Sequence, residues 1–169
     1  MGLGYNKQKP NFLDLNEREF KYIKKILDKY LIGIVIYNNS GIVLYQFQVD
    51  SKVNIDLLSQ FISALSMLGE ELGGIKKITI NGNNLEMRSM EKYNLIITAL
   101  FKPDMVKDYL EYEAEKCLDL FYEEFKEFIE KNKCNQDIYK RFDKTMWDLI
   151  QDYLIRIGAF DLNFFYFIR

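Results

Sequence analysis

Histidine does not occur in this sequence. Its absence removes the commonest general base and the commonest metal ligand, and with them any nucleophile–histidine pair. Cysteine occurs twice, as Cys117 and Cys134, at a spacing that no paired-ligand motif uses. Two thiols in 169 residues fit a reducing compartment, so a cytoplasmic location with both thiols free is expected. Long apolar runs are missing: 34–37 and 164–168 fall far short of the ~20 residues a membrane helix needs. So is a basic excess, since the formal net charge is −2 and offers nucleic acid no attractive field. Proline occurs only twice, beside abundant Ile, Lys, Asn, Tyr and Phe. That bias concerns codons and says nothing of function.

Several near-motifs fail on inspection. Gly69 and Gly74 have the glycine spacing of a phosphate loop, but Ile75 stands where the lysine must be. Gly2-Leu3-Gly4 lacks the third glycine and the preceding strand of a dinucleotide fingerprint. Asn38-Asn39-Ser40 matches a glycosylation acceptor, but no secretory signal is visible. The carboxylates of 104–130 are interspersed with lysines on a helical pattern, which gives no paired-carboxylate site. Tyr109, Tyr112 and Tyr122 lack the basic stripe that base stacking needs. No catalytic, cofactor-binding or metal site is therefore expected, and no enzymatic activity.

What is present is a dense apolar pattern, 49% of the chain. A chain of this length suits one globular unit that buries ~70% of its unfolded surface. Charge is uneven: residues 1–31 hold seven Lys/Arg against four Asp/Glu, and residues 103–131 hold four Lys against ten Asp/Glu. After a loose arm over 1–13, Asp14 and Glu17 form a capping-box pair, and Phe20, Ile23, Ile26, Leu27 and Tyr30 recur at helical spacing. Residues 32–49, IGIVIYNNSGIVLYQFQV, read as a hairpin about Asn39-Ser40-Gly41. Both strands are apolar on both faces, so both faces of the sheet are covered. Val43, Tyr45, Phe47 and Val49 are expected to share one face.

Asn54 then caps a helix with the stripe Ile55, Leu58, Phe61, Ile62, Leu65, Leu68 and Leu72, ended by Gly73-Gly74. Leu57, Ala64 and Met67 lie beside or outside that stripe. They either widen the cover over a broad sheet or await a partner. Strands follow at 75–81, 85–90 and 93–101, with a turn at Glu91-Lys92. Pro103 and Asp104 open a helix with Val106, Leu110, Cys117, Leu118, Phe121, Phe125, Phe128 and Ile129 inward, running to about 131. A last helix covers about 136–156. The ending AFDLNFFYFIR has a period of two and predicts an added edge strand.

The order helix, hairpin, helix, three-strand meander, helix, helix is the layout of the longin and roadblock families. "VIYNNSGIVLYQ" resembles the longin hairpin. "VDSKVNIDLLSQFISALSMLGEEL" is similar to the first longin helix, and "IKKITINGNNLEMRSMEKYNLIITALF" to the meander after it. The helix at 15–30 is a roadblock-like feature, and divergent longin-type domains of archaea with trafficking-like gene sets look like this. The resemblance covers about 32–130. It implies an α+β fold: a five-stranded antiparallel sheet in β-β-α-β-β-β-α-α order, one helix on one face and closing helices on the other, plus an N-terminal helix. The segments are an N-terminal arm and helix at 1–31, a longin-like core at 32–131, and a C-terminal helix and aromatic tail at 132–169, all one unit. It further implies a non-enzymatic role as a dimeric platform or regulator for small Ras-like GTPases or vesicle-trafficking complexes. The expected interface pairs Leu57, Ala64 and Met67 of the helix with Ile78 and Ile80 of the neighbouring edge strand. Two other readings stand beside this one. A profilin- or PAS-like sensor would enclose a ligand cavity of ~300 Å³ between sheet and helix. A peripheral membrane adaptor would use Phe164, Phe165, Phe167 and Ile168.

Overall fold

The computed structural model describes residues 10–74, 76–103 and 111–168, with the side chains of Phe12, Glu111 and Ile168 outside the description. A 3-10 turn at Phe12–Asp14 precedes helix α1, Glu17–Tyr30. Strands β1, Leu31–Asn38, and β2, Val43–Phe47, form the hairpin, and α2, Ile55–Glu71, follows. The meander is β3, Lys77–Asn81, β4, Glu86–Lys92, and β5, Leu95–Phe101. Then come α3, Glu111–Glu130, two 3-10 turns within 136–142, α4, Asp143–Arg156, and α5, Leu162–Ile168.

The five strands lie in the order β2-β1-β5-β4-β3, and every neighbouring pair is antiparallel. The sheet has apolar cores on both faces, as the two-faced strands require. On one face Ile34 and Ile36 of β1 and Leu95, Ile97 and Phe101 of β5 pack with side chains of α1, α3, α4 and α5. On the other, Val35, Tyr37, Ile96 and Leu100 pack with Ile62 of α2. Helix α2 leaves the β2 edge and returns at the β3 edge. Four strand spacings make about 19 Å, and 17 helical residues about 25 Å, so the helix is long enough to cross the whole sheet.

Several local expectations shift. The cap of α1 is Asn16, not Asp14: Glu19 N donates to Asn16 Oδ1 at 2.9 Å, and Asn16 N donates back to Glu19 Oε2 at 2.9 Å. Both D-x-x-E and N-x-x-E are present, and the 3-10 turn absorbs the first. The hairpin carries a bulge, since Ile36 opposes Tyr45 while Tyr37 opposes Val43. Leu44 is the extra residue. Val43 consequently packs on the α2 side, and Tyr45 and Phe47 on the other. Gln48, at φ 53, turns Val49 back to the α2 side. The last hairpin turns on Tyr93-Asn94, both at φ 58, so β4 extends to Lys92. The expected helix start at Pro103 and Asp104, with Val106 and Leu110, runs into 104–110, outside the described residues.

The predicted edge strand at the end is a helix. Asp161 Oδ1 accepts from Asn163 N at 2.8 Å, and Phe165 N donates to Asp161 O at 2.9 Å. A segment that is apolar nearly throughout satisfies a period of two as easily as a helical one, and here the docking of Phe160 and Phe165 into the core decides.

Candidate interaction surface

Helix α2 rests on the sheet through Ile62, with Ile55, Leu58 and Leu65 of the expected stripe packed beside it. Ser59, Ser63, Ser66 and Gly69 are buried among them. Small contacts let the helix axis approach the sheet closely. Its N-terminal end is fastened by Asn54, whose Oδ1 accepts from Leu57 N at 3.0 Å. Ser59 Oγ lies 2.8 Å from Gly41 O in the β1–β2 turn and 3.0 Å from Asp56 O. The far end stops where Gly73 and Gly74 take positive φ, and Gly74 N donates to Gly69 O at 2.7 Å.

This seating turns much of the apolar stripe outward. At 100° per residue, Leu57, Phe61, Ala64, Leu68 and Leu72 fall within one ~80° arc opposite Ser59 and Ile62. All five are exposed, Leu57 to 65% and Leu72 to 75%, with Met67 exposed beside them. Leu57, Ala64 and Met67 are thus on the outer surface, so they do not widen the cover over the sheet. Phe61, Leu68 and Leu72 join them, against the expectation that they face the sheet. The missed signal is the serine row, which marks the side of closest approach. Ile78 and Ile80 of the edge strand β3 are half-buried and pack into the core beneath α2, while Lys77, Thr79 and Asn81 are exposed. The two isoleucines therefore flank the surface without standing free on it.

Beneath α2 a polar chain crosses the central strands. Tyr37 Oη and Thr98 Oγ1 share a hydrogen bond of 2.6 Å, and Thr98 Oγ1 and Ser89 Oγ one of 2.7 Å. Burial raises the Tyr37 phenol well above its ordinary range, so it stays neutral. Burial likewise raises the Cys117 thiol, which behaves as a small apolar group. Phe121 and Phe125 are fully buried, as core.

At the sheet end, Lys92 Nζ reaches Glu115 and Asp119 of α3, each at 2.7 Å, and Tyr93 Oη donates to Asp119 Oδ1 at 2.7 Å. The bonds from Lys92 and then Tyr93 lower the Asp119 carboxyl, and Asp119 and Glu115 raise the Lys92 ammonium. An open cleft of about 300 Å³ lies beside them, lined by Asn38, Asn39, Tyr93, Asn94, Tyr122 and Asn132 among others. It sits at the strand ends, not between sheet and helix. A cavity of about 20 Å³ by Ile34, Cys117, Met146 and Ile150 has room for about one water. No cluster of three or more metal-ligating side chains occurs among the described residues.

In the tail, Phe165 is 0% exposed and packs in the core, so it is not available to a membrane as expected. Phe164 and Phe167 are exposed, and Ile168's side chain lies outside the description.

Five antiparallel strands in this order, with one helix on one face and the remaining helices on the other, make an α+β roadblock/longin-type fold. The chain is similar to the roadblock/LC7 domain from Streptomyces avermitilis, at TM-score 0.50 and 12% identity over 62% of this chain and 95% of that one. It is similar also to MglB of Myxococcus xanthus, at TM-score 0.50 and 10% identity over 63% and 90%. At these identities the likeness establishes the fold alone. No family model and no curated protein matches the sequence.

Proposed function

We propose that this chain is a non-enzymatic interaction module, which pairs through the outer face of α2 and the β3 edge and serves as a platform or regulator for a small Ras-like GTPase or a trafficking-type complex. The observation that supports it is the row Leu57, Phe61, Ala64, Leu68 and Leu72, exposed on a helix held firmly from beneath. Side chains of this size amount to several hundred Å² of apolar surface, the scale that marks protein contacts. The 4-3-4-4 spacing suits helix-to-helix packing with a second copy. Beside it, β3 is the edge strand of the sheet, with β4 as its one neighbour among the described strands. The GTPase is an inference from the fold's resemblance, and the dimer from the surface. In this reading the segments 1–31, 32–131 and 132–169 act as one unit, because α1, α4 and α5 share the core beneath the sheet.

Sedimentation of the purified chain, alone and with candidate GTPases in both nucleotide states, tests the reading. A dimer is expected, converted to monomer by Leu57→Asp with Leu68→Asp, and a complex with one nucleotide state. A wild-type monomer indifferent to every GTPase would overturn it. The ligand-sensor reading has less support: neither the cleft at the strand ends nor the ~20 Å³ cavity is an enclosed chamber between sheet and helix.

A further inference from the structure

The opposite side of the molecule carries a second surface of different chemistry. Helix α1 has five cations, Arg18, Lys21, Lys24, Lys25 and Lys29, against Glu17, Glu19 and Asp28. Glu19 is buried in the capping box and contributes little field outside. At 100° per residue, Arg18, Lys25 and Lys29 fall within ~40° of one another, with Lys21 ~60° from Arg18, while Glu17, Lys24 and Asp28 lie farther round. These four cations are exposed or, as with all of α1's outward face, solvated, and none is in an ion pair with a carboxylate among the described residues.

Tyr22 stands beside that row and joins it to α5. Its ring lies 5.2 Å from Phe164, 5.9 Å from Phe160 and 6.5 Å from Phe165. Phe160 and Phe165 anchor α5 in the core, each under 5% exposed. Phe164 and Phe167 project outward and stack at 6.3 Å, with Phe167 84% exposed. Asp161 is the nearby carboxylate; it faces Tyr22, and its Oδ1 is engaged by the first α5 amides. A row of exposed cations in excess of the helix's carboxylates, beside outward-pointing rings, matches a bilayer with anionic headgroups: lysines reach the headgroups while the rings enter the boundary below them. A protein partner of acidic surface would satisfy the lysines but leave two phenylalanines to be covered by something apolar.

We propose that α1 and α5 form a peripheral docking face for an anionic lipid bilayer, through Arg18, Lys21, Lys25 and Lys29 with Phe164 and Phe167. Because α1 and α5 pack on the sheet face opposite α2, a docked chain presents the outer face of α2 away from the bilayer. Both surfaces are then usable at once.

The experiment is co-sedimentation of the full chain with phosphatidylcholine vesicles, with and without phosphatidylserine. Binding is expected only when phosphatidylserine is present, and it weakens as salt rises. Lys25→Gln with Lys29→Gln lowers the partition about twentyfold, from about fivefold per cation. Phe167→Ser, at a position too exposed to affect folding, lowers it about fivefold. Leu57→Asp with Leu68→Asp leaves it unchanged, which separates this face from the dimer surface. Circular dichroism confirms that each variant is folded. Three results would overturn the proposal: no binding to phosphatidylserine vesicles, binding indifferent to both the lysine and the Phe167 variants, or lipid-free self-association that Phe167→Ser abolishes.

Discussion

Gly33 shows how narrow the tolerance is at single positions. It sits inside β1, where Val49 crosses, and a Cβ added there would meet the Val49 backbone at 2.8 Å. Backbone cannot swing aside as a side chain can, so Gly33→Ala should cost about 1–3 kcal/mol, read as a lower urea midpoint. An unchanged midpoint would refute the close approach. Glu91 makes a second case. Burial and then the neighbouring charge of Glu70 raise its carboxyl above the ordinary range. A carboxyl raised in the folded state binds its proton there before the unfolded chain does. Its penalty is therefore complete at neutral pH and lifts as pH falls through the raised value. Glu91→Gln should stabilise the fold at pH 7 and lose that advantage on acidification, checked by denaturation at a series of pH values. Neither residue was legible beforehand. Gly33 reads as an ordinary small residue in a strand, and the proximity of Glu70 to Glu91 exists only once α2 lies over the meander.

Among the elements, α2 shows best what a sequence reveals and what it hides. Its cap at Asn54, its stop at Gly73-Gly74 and its breadth of apolar residues were all readable, because local chemistry sets them. Which half of the broad stripe meets the sheet was not, since that depends on how closely the helix sits. Serine and glycine at 59, 63, 66 and 69 share the inner side with Ile62, Leu58 and Leu65, and Leu57, Phe61, Leu68 and Leu72 are left outside. The two sides of the helix should then respond oppositely. Ile62→Ala, at a fully buried position, should cost about 2–5 kcal/mol of stability. Phe61→Ser should stay within about 0.5 kcal/mol in the isolated chain while weakening self-association. Thermal unfolding beside sedimentation measures both, and equal losses of stability would contradict the seating of α2. Helix α5 teaches the complementary lesson: FFYFI has no polar residue to fix its period, so only docking against Tyr22 and the core selects a helix.

For the molecule as a whole, the double cover followed from the two-faced strands and the five-stranded antiparallel sheet from the longin/roadblock resemblance, while the strand order came only with the structure. The make-up of the surfaces did not, because a linear pattern does not say which apolar side chains the fold leaves uncovered. Two sides differ in kind: one apolar along a helix, the other basic beside exposed rings.

The pairing of β1 with β5 has a consequence in time. It joins Leu31 to Phe101 and Asn38 to Leu95, so the centre of the sheet is its least local contact. The hairpin and the meander can each close quickly, but the seam between them waits for a long loop containing all of α2. During synthesis the hairpin emerges directly after α1, and on the order of seconds pass before β5 follows it off the ribosome. In that interval β1 has an open edge, and its α2-side face is bare until α2 follows. The nascent chain is therefore most exposed to misassembly between the completion of β2 and the arrival of β5, when α1 on one face and α2 on the other are the described helices already made to shelter the hairpin.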